Sequence, residues 1–437
     1  MKSNLFWRIL GYDIEKSKIE LKQINSLSEE KFWELQLRKR DSILMHHLEN
    51  SPWYKNYTKD INHSNWSEIP VIKKTDLQNY SSKEKPNKLF NNIYFANTSG
   101  SSGHPLLFWK NRECHSFAWA KIQISYEILG ITQLDKEARF LGHIKDSYKT
   151  KYLELLKDKF LNRFRFDVFN ISEDRLMDYY NTFKKESFNY IYGYTNVIIN
   201  FSKFIIKNKL PSLKEICPSI KVCIVTAEMC TEEDRNLIEK AFGISIYREY
   251  GSSETSIIAI ENKKLKWEIS TDRLWVEVVD ENNNILPNGE LGRIILTDLN
   301  NKVFPFVRYD IGDFGRINKI NKHPYLLLNE LSGRISDLIY LPSGKKAPGL
   351  TFYYISRTIL EKTNNIKEFK IVQTAINKFK FLIISEKELR RKEKNELLKA
   401  TYNYLEPGLK IEFEKIKEFE KCYSGKVQHF FSEIREY

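Results

Sequence analysis

The sequence is poor in the residues that mark metal sites, disulfide frameworks and membrane spans. Its five cysteines are scattered, at Cys114, Cys217, Cys223, Cys230 and Cys422. No two of them form a Cys-x-x-Cys pair, so we expect neither a zinc site nor a disulfide framework, and the simplest compartment is the cytoplasm. No run of about 18 apolar residues occurs, so no membrane span is predicted. The N-terminal segment lacks the apolar stretch and cleavage site typical of a signal peptide.

Positive charge exceeds negative charge, but the excess is not concentrated anywhere. The formal net charge is +13, from 70 Lys and Arg against 57 Asp and Glu. A basic surface could attract nucleic acid, anionic lipid or an anionic substrate. The lysines are mixed with acidic residues, for example at 387–394, and no recognised nucleic-acid motif or basic tail is present. The pattern favours a solvated, lysine-rich surface and no specific nucleic-acid partner.

The order of predicted elements indicates an α/β protein with a smaller unit at its C-terminus. The chain has 437 residues, of which 41% are hydrophobic and 29% charged, enough for two to three globular domains. Helical patterns and short apolar runs alternate between residues 113 and 250, which predicts a parallel sheet. From about Leu265, strands and tight turns predict a small β-barrel or an antiparallel sheet packed on the first part. After Gly333-Arg334 we expect an α+β unit of about 100 residues.

A glycine- and hydroxyl-rich stretch, residues 98–105, lies between two short apolar runs. Its members are Thr98, Ser99, Gly100, Ser101, Ser102, Gly103, His104 and Pro105. Clustered amides and hydroxyls can cradle phosphates, and glycine lets the backbone approach a ligand closely. No Gly-Lys-Ser/Thr closes the stretch, so it is not the P-loop of nucleoside triphosphatases. The alternative is a flexible turn, and the flanking runs predict a hairpin or another strand–strand connection.

Residues 249–254 read Glu-Tyr-Gly-Ser-Ser-Glu and follow a predicted strand. A tyrosine such as Tyr250 can stack on a flat base, and the glycine permits close approach. A carboxylate such as that of Glu254 can hold Mg²⁺ near phosphates. The alternative is an ordinary strand and turn with a surface glutamate.

Three later motifs carry charged residues that suit a nucleotide. They are residues 306–313, 331–337 and 423–427. Asp313, at a strand end, could accept both hydroxyls of a ribose, or it could belong to a capped turn with a surface ion pair. Arg334 could direct a guanidinium at a phosphate or ribose from a hinge, or lie in a linker. Lys426 could stabilise negative charge on a transferring oxygen, or be one more surface lysine.

The order and spacing of these motifs resemble the successive motifs of adenylate-forming enzymes. That superfamily includes acyl-CoA synthetases, peptide-synthetase adenylation domains and luciferases. The matching segments are Thr98-Ser-Gly-Ser-Ser-Gly-x-Pro105, Tyr250-Gly-Ser-Ser-Glu254, Arg308-Tyr-Asp-Ile-Gly-Asp313, Gly333-Arg334-x-x-Asp337 and Ser424-Gly-Lys426. The resemblance covers nearly the whole chain. Residues 36–54 and the Thr226-Ala-Glu228 turn are most similar to phenylacetate–CoA ligase and related capsular-polysaccharide-associated ligases.

The resemblance implies a large N-terminal domain, residues 1–334, and a small mobile C-terminal domain, residues 335–437. It also implies a two-step reaction that uses ATP and Mg²⁺. A carboxylate attacks the α-phosphate and gives an acyl-adenylate and pyrophosphate, and then a thiol or an amine displaces AMP. Such chemistry needs positioning and charge neutralisation more than acid–base catalysis.

The resemblance assigns nucleotide contacts to several motifs. The implied residues are Thr98, Ser99, Gly100, Ser101, Ser102, Gly103, Ala227, Glu228, Tyr250, Gly251, Ser252, Ser253, Asp313 and Arg334. The Gly/Ser loop would hold the β- and γ-phosphates, the Ala-Glu pair would line the adenine edge, and Tyr250 would stack on the base. Ser253 would touch a phosphate, Glu254 would bind Mg²⁺, and Asp313 would hold the ribose. Lys426 would meet the α-phosphate and the carboxylate during adenylation.

Three positions depart from the family pattern. Many members have a lysine directly after the loop proline, where this chain has Leu106, so less positive charge is expected at the pyrophosphate. Asp310 replaces a familiar arginine, which leaves the role of that position open. The usual hinge acid falls at Ser336, with Asp337 next, so we expect domain rotation near residues 334–337 without a single pivot.

The acyl pocket and the acyl acceptor are the least specified parts of the site. Our candidate pocket residues are Tyr192, Gly193, Tyr194 and Asn196, together with Ser252. They could equally be ordinary core and strand-end residues. Coenzyme A is the acceptor that the family implies, and an amine, in the tailoring of a surface polysaccharide or secondary metabolite, is the alternative. A different class of function, a non-catalytic nucleotide-binding relative, would fit the departures at Leu106 and Asp310.

Overall fold

A mixed sheet of eleven strands organises most of the chain. The computed structural model describes residues 7–8, 10–83, 93–98, 105–141, 148–168, 171–319, 324–334, 338–344, 346–348, 365–416 and 430–434. The helices are α1 (Ile14–Asn25), α2 (Glu29–Asn50), α3 (Pro52–Tyr57), a 3₁₀ turn (Trp66–Glu68), α4 (Lys74–Lys83), α5 (Arg112–Ile128), α6 (Tyr148–Phe160), α7 (Glu173–Lys185), α8 (Thr195–Lys207), α9 (Leu213–Ile216), α10 (Glu232–Phe242) and α11 (Arg391–Tyr404). None of these described helices is both long and apolar enough to cross a membrane.

The strands fall into one large sheet, one smaller sheet and two isolated pairs. They are β1 (Ile93–Asn97), β2 (Leu107–Asn111), β3 (Glu137–Phe140), β4 (Arg163–Arg165), β5 (Tyr190–Tyr194), β6 (Val222–Thr226), β7 (Ser245–Ser252), β8 (Ser256–Glu261), β9 (Trp267–Ile269), β10 (Leu274–Val279), β11 (Leu291–Asp298), β12 (Tyr309–Lys319), β13 (Leu326–Arg334), β14 (Leu338–Tyr340), β15 (Lys346–Pro348), β16 (Ile366–Ala375), β17 (Lys378–Ser385), β18 (Lys410–Lys415) and β19 (Phe430–Ser432).

The predicted parallel region is confirmed. Strands β4, β3, β5, β6 and β7 pair in parallel in that order, and helices connect them. Strand β6 is buried along its whole length, as expected for an apolar run at the centre of a parallel sheet covered on both faces. Local signals fix the helix ends: α10 begins at a capping box in which Thr231 and Asp234 each accept from the backbone of the other.

The antiparallel alternative, rather than a separate barrel, describes the region after Leu265. Strand β8 folds back on β7, β9 follows β8, and β13, β12, β11 and β10 continue the same sheet by antiparallel pairing. Within the described residues these strands therefore extend the parallel sheet instead of closing on themselves. The pairing of β9 with β13 makes the link, and it joins segments about 60 residues apart that no local pattern connects.

The C-terminal residues contain a sheet and a hydrophobic cluster of their own. Strands β18, β17, β16 and β19 form a four-stranded sheet, and the buried face of α11 packs with it through Leu397. Strands β14 and β15 form a separate antiparallel pair. This is the α+β content that the sequence predicts. The domain boundary at residues 334 and 335 stays a prediction, since residues 335–337 lie outside the described part.

Candidate functional site

The carboxyl ends of the central parallel strands bring several predicted residues to one edge of the sheet. Tyr194 at the end of β5 lies beside Thr226 at the end of β6, which lies beside Glu249 in β7. The turn with Ala227 and Glu228 follows β6 directly. Ligands of open α/β sheets bind at such an edge, because the strand-end loops open into a common crevice.

Tyr250 and Asp313 meet directly. The Tyr250 hydroxyl donates to Asp313 Oδ2 at 2.7 Å, and the tyrosine is buried to all but 9% of its surface. Strand pairing sets Asp313 on β12 opposite Arg334 on β13, so the backbone of a third predicted residue lies beside this pair. The predicted base-stacking residue and the predicted ribose ligand are therefore one connected unit.

Glu254 lies in a buried turn between β7 and β8. Its Oε1 accepts a 3.1 Å hydrogen bond from the Tyr309 hydroxyl, and only 6% of the residue is exposed. Burial, and then the charge of Glu254, raise the pKa of Tyr309 well above its ordinary value, so the phenol stays a donor to the carboxylate. The alternative of a surface glutamate at this position is wrong. Within the turn, Ser252 Oγ accepts from the Thr255 amide at 3.0 Å.

Two buried cations hold the backbone on either side of Glu254. Lys110 Nζ donates to the Ser253 carbonyl at 3.2 Å, and Arg273 Nη1 donates to the Thr255 carbonyl at 2.6 Å. Arg273 also pairs with Asp298 at 3.2 Å. Burial lowers the pKa of Lys110. Neither cation was foreseen, since nothing local distinguishes one lysine or arginine among 70.

Glu228 caps helix α8 and so links two predicted groups of residues. Its Oε2 accepts from the Asn196 amide at 2.8 Å, and its carbonyl accepts from Thr195 Oγ1 at 3.0 Å. Ala227, just before it, has φ of 71°, in the left-handed region that costs a non-glycine residue about 1 kcal/mol or more. The predicted adenine turn is thus a strained turn tied to the start of a helix.

The chain is similar to several known proteins in sequence and in fold. A family model described as the CapK C-terminal domain matches residues 345–433. Protein CapK of Staphylococcus aureus is 25% identical over 396 residues, 87% of this chain and 83% of CapK. A phenylacetate–coenzyme A ligase of Pseudomonas putida is 30% identical over 130 residues, which are 28% of this chain and 29% of that ligase. A crystal structure of 2-hydroxyisobutyryl-CoA ligase in the postadenylation state, with R3-HIB-AMP, superposes with a TM-score of 0.71 at 16% identity, covering 94% of this chain and 92% of the other.

The chain has the fold of the adenylate-forming superfamily over nearly its whole length, and protein CapK and the phenylacetate–CoA ligases are among its homologues. The predicted resemblance is confirmed.

The structure gives a physical reason for the departure from the family pattern at Leu106. The Leu106 side chain is fully buried in the core beside the Gly/Ser loop, while its backbone pairs with Thr98 in hydrogen bonds of 2.9 and 3.0 Å. A lysine pointing the same way would place an ammonium in that apolar cluster. Strands β1 and β2 form the predicted hairpin around the loop. Lys110, four residues after Leu106, is the nearby lysine whose amine donates to the Ser253 carbonyl beside Glu254.

The arginine and aspartates of the 306–313 motif have separate roles. Asp310 pairs with Arg293 at 2.7 Å and accepts from the Gly312 amide at 2.9 Å. Arg308 is 1% exposed and donates to the carbonyls of Ser67 and Ile69. The alternative for this motif, a capped turn with a surface ion pair, is half right: Asp310 caps the turn at Gly312, but its ion pair with Arg293 is buried. Both residues fix the backbone that presents Asp313.

Of the candidate acyl residues, Tyr192, Gly193 and Tyr194 lie on β5, Asn196 lies at the start of α8, and Ser252 ends β7. Tyr192 donates to Glu249 Oε1 at 2.8 Å, and Tyr126 of α5 donates to Glu249 Oε2 at 2.9 Å. Gly193 faces the other way, where an added Cβ would lie 2.6 Å from Phe140 Cβ, so the glycine is required by packing. In the same manner Gly251 allows β8 to approach, since a Cβ there would lie 2.8 Å from the Ser256 carbonyl oxygen.

Several predicted residues fall outside the described part of the chain. These are Ser99, Gly100, Ser101, Ser102, Gly103, Ser336, Asp337 and Lys426. The Arg334 side chain lies outside the described part as well. In the part that is described, no group of three or more His, Cys, Asp or Glu side chains is arranged to hold a metal ion.

Proposed function

We propose that this chain activates a carboxylic acid with ATP and transfers the acyl group to coenzyme A. One observation carries the proposal. Near the carboxyl edge of the parallel strands, the Tyr250 hydroxyl donates to Asp313, and Glu254, four residues after Tyr250, accepts from the buried Tyr309 hydroxyl. A stacking ring, a ribose-binding carboxylate and a metal-binding carboxylate are what an ATP-dependent adenylation needs at one place.

In the first step, a carboxylate oxygen of the acid forms a bond to the α-phosphorus, and the bond from that phosphorus to the pyrophosphate oxygen breaks. Tyr250 and Asp313 hold the adenosine, while the Gly/Ser loop, from Thr98 onward, holds the departing phosphates. Lys426 neutralises charge between the acid and the α-phosphate. The catalytic gain comes from alignment and charge stabilisation, because no proton has to be moved.

Glu254 is the residue that would hold Mg²⁺. Its carboxylate is buried, fixed by Tyr309, and kept in position by Lys110 and Arg273 through the flanking carbonyls. The ion would neutralise the phosphate charges as the α-phosphorus is attacked. An oxygen ligand on a rigid turn suits this hard cation.

In the second step, a thiol attacks the acyl carbonyl, the acyl–phosphate bond breaks, AMP leaves and the thiol proton is lost to solvent. Coenzyme A is the acceptor we propose, because the names of two relatives, a phenylacetate–CoA ligase and a 2-hydroxyisobutyryl-CoA ligase, state it for those proteins. We propose that residues 335–437 form the mobile small domain and that rotation occurs near residues 334–337. The acyl part would lie against Tyr192, Tyr194 and Asn196.

ATP–pyrophosphate exchange over a mixed panel of aryl, fatty, amino and sugar acids tests the first step. Glu254→Gln keeps an oxygen that can accept from Tyr309 and removes the charge, so we expect exchange to fall by about 100-fold. Lys426→Ala should lower exchange similarly. Glu290→Gln, at an exposed residue before β11, is the matched control and should leave exchange unchanged.

Adding coenzyme A, or a panel of amines, to the activated acid identifies the acceptor. Thioester formation with coenzyme A is the expected result, and amide formation instead would correct the second step alone. ATP binding without exchange for any acid would indicate a non-catalytic nucleotide-binding relative. Failure to bind ATP would remove the proposal altogether.

A further inference from the structure

The two carboxylate oxygens of Glu254 have different surroundings. Oε1 accepts the 3.1 Å hydrogen bond from the Tyr309 hydroxyl. Among the described residues Oε2 has no hydrogen-bond partner, yet it is not one of the fully enclosed polar atoms that lack one. The small exposed part of the residue, 6% of its surface, therefore includes Oε2. With one oxygen engaged and the other open, the carboxylate offers a ligand a single acceptor atom.

Tyr309 is held in place by its backbone and by its ring. The residue is fully buried, and a parallel β-bridge joins it to Ile72. At this bridge the Ile72 amide donates to the Arg308 carbonyl at 2.9 Å. The ring meets that of Phe306 edge-on, with the two centroids 5.2 Å apart. The hydroxyl is therefore presented to the carboxylate in a fixed position.

The residue before Tyr309 has a strained backbone. Arg308 has φ of 45°, in the left-handed region that side chains other than glycine rarely adopt. Its guanidinium donates to the carbonyls of Ser67 and Ile69, and its amide donates to Thr297 Oγ1 at 2.9 Å. Strain of this kind persists only where surrounding contacts fix the conformation, and it is common beside functional sites. Contacts from two distant segments of the chain thus set the place of the phenol.

We propose that Tyr309 is a positioning residue that selects the cation at this site. By occupying Oε1 it leaves Glu254 only Oε2 for the metal, which favours Mg²⁺ over Ca²⁺. The inference rests on the proposed function, in which Glu254 holds Mg²⁺. Ca²⁺ accepts both oxygens of one carboxylate and a flexible geometry, whereas the smaller Mg²⁺ demands strict geometry from its few protein ligands. Without the hydroxyl, Oε1 would be free to join Oε2 on the larger cation.

The affinity for ATP in excess Mg²⁺ and in excess Ca²⁺ tests the inference without any reaction. It is measured by calorimetric titration of the full-length protein. We expect the parent to bind ATP at least about 10-fold more tightly with Mg²⁺ than with Ca²⁺. Tyr309→Phe keeps the ring and removes the hydroxyl, so the ratio of the two affinities should fall by about 10-fold. A cooperative urea transition like that of the parent checks that the variant is folded.

A further pair of variants shows whether Tyr309 acts through Glu254. Glu254→Gln removes the charged ligand and should lower the affinity ratio by itself. Tyr309→Phe should then change the ratio little in the Glu254→Gln background, because the hydroxyl has no metal ligand left to orient. An equal effect of Tyr309→Phe in both backgrounds would mean that the phenol acts on ATP binding by another route, and it would overturn the inference.

Tyr180→Phe is the control variant. Tyr180 is also fully buried, and its hydroxyl donates to the Pro211 carbonyl at 3.0 Å, but it belongs to the apolar cluster around α7 and α8. Its affinity ratio should stay at the parent value. A parent that binds ATP equally well with either cation, or a preference for Mg²⁺ that survives Tyr309→Phe, overturns the inference and keeps the proposed function. Failure to bind ATP with either cation removes both.

Discussion

On one face of strands β3, β5 and β7 the buried side chains are aromatic and aliphatic, whereas on the other face they are charged and phenolic. The apolar face carries Ala138, Phe140, Ile191 and Ile246, which pack with α7, α8 and α10. The face beneath α5 carries Glu137, Arg139, Tyr190, Tyr192 and Glu249. Successive residues of a strand point to opposite faces, so each strand supplies both environments.

The difference indicates which face of the sheet contributes more to the stability of the fold. Burial of apolar side chains stabilises the fold directly, by about 25 cal/mol for each Å² removed from water. Buried charges must first offset their desolvation, and an apolar replacement would often be as stable. A sheet face that keeps ion pairs and phenols under a helix is therefore expected to add less to stability than the apolar face does.

The largest effect on stability is expected from the apolar face. Phe183 of α7 is 1% exposed, and its ring lies 4.8 Å from that of Phe188 and 5.8 Å from that of Phe166. Phe183→Ala should lower the free energy of unfolding by about 3–5 kcal/mol, measured in urea. Phe160→Ala, at a residue that is 46% exposed, should lower the free energy of unfolding by much less than Phe183→Ala does. Equal losses in the two variants would mean that the aromatic cluster does not dominate stability.

A smaller loss, with a pH signature, is expected at Glu137 on the polar face. Burial alone would raise the pKa of Glu137, but Arg163 and Arg139 hold it at about 2, below its ordinary 4.5. A lowered carboxyl pKa stabilises the fold above pH 4.5, and that stability is lost as the pH falls towards 2. Glu137→Gln should therefore cost about 3 kcal/mol at neutral pH.

Unfolding in urea at several pH values measures this effect. The gap between parent and Glu137→Gln should narrow steadily below pH 4.5. Glu154→Gln, at a half-exposed partner of Arg165, serves as the control and should change stability little at any pH. A gap for Glu137→Gln that is constant with pH would show that the carboxylate is not held ionised by the two arginines.

Sequence patterns predicted those features of the fold and the site that depend on residues close together in the chain. The alternation of helices and apolar runs predicted the parallel strands, and short motifs singled out Tyr250, Glu254 and Asp313, which the structure places at or beside one edge. Lys110 and Arg273 were not predicted, because each acts through a tertiary contact with a backbone carbonyl, of Ser253 and Thr255 respectively, that no local pattern reveals. The joining of all eleven strands in one sheet was not predicted for the same reason, since β9 pairs with β13, from which three other strands separate it in sequence.

The polar face also contains the smallest predicted effect, of opposite sign. Burial raises the pKa of Glu249, and the hydrogen bonds from Tyr192 and Tyr126 only partly oppose it. A raised carboxyl pKa means that the folded protein binds the proton more tightly than the unfolded chain. Stability from this group is present below pH 4.5 and is lost as the pH rises through the raised value.

Glu249→Gln keeps the hydrogen-bonding shape without the charge, so it should raise the free energy of unfolding at pH 8 by up to about 1 kcal/mol and change it little at pH 4. Urea unfolding at both pH values decides the matter. If Glu249→Gln instead destabilised the protein at pH 8 as Glu137→Gln does, both glutamates would be ionised and paired in the folded protein, and the raised pKa of Glu249 would be contradicted.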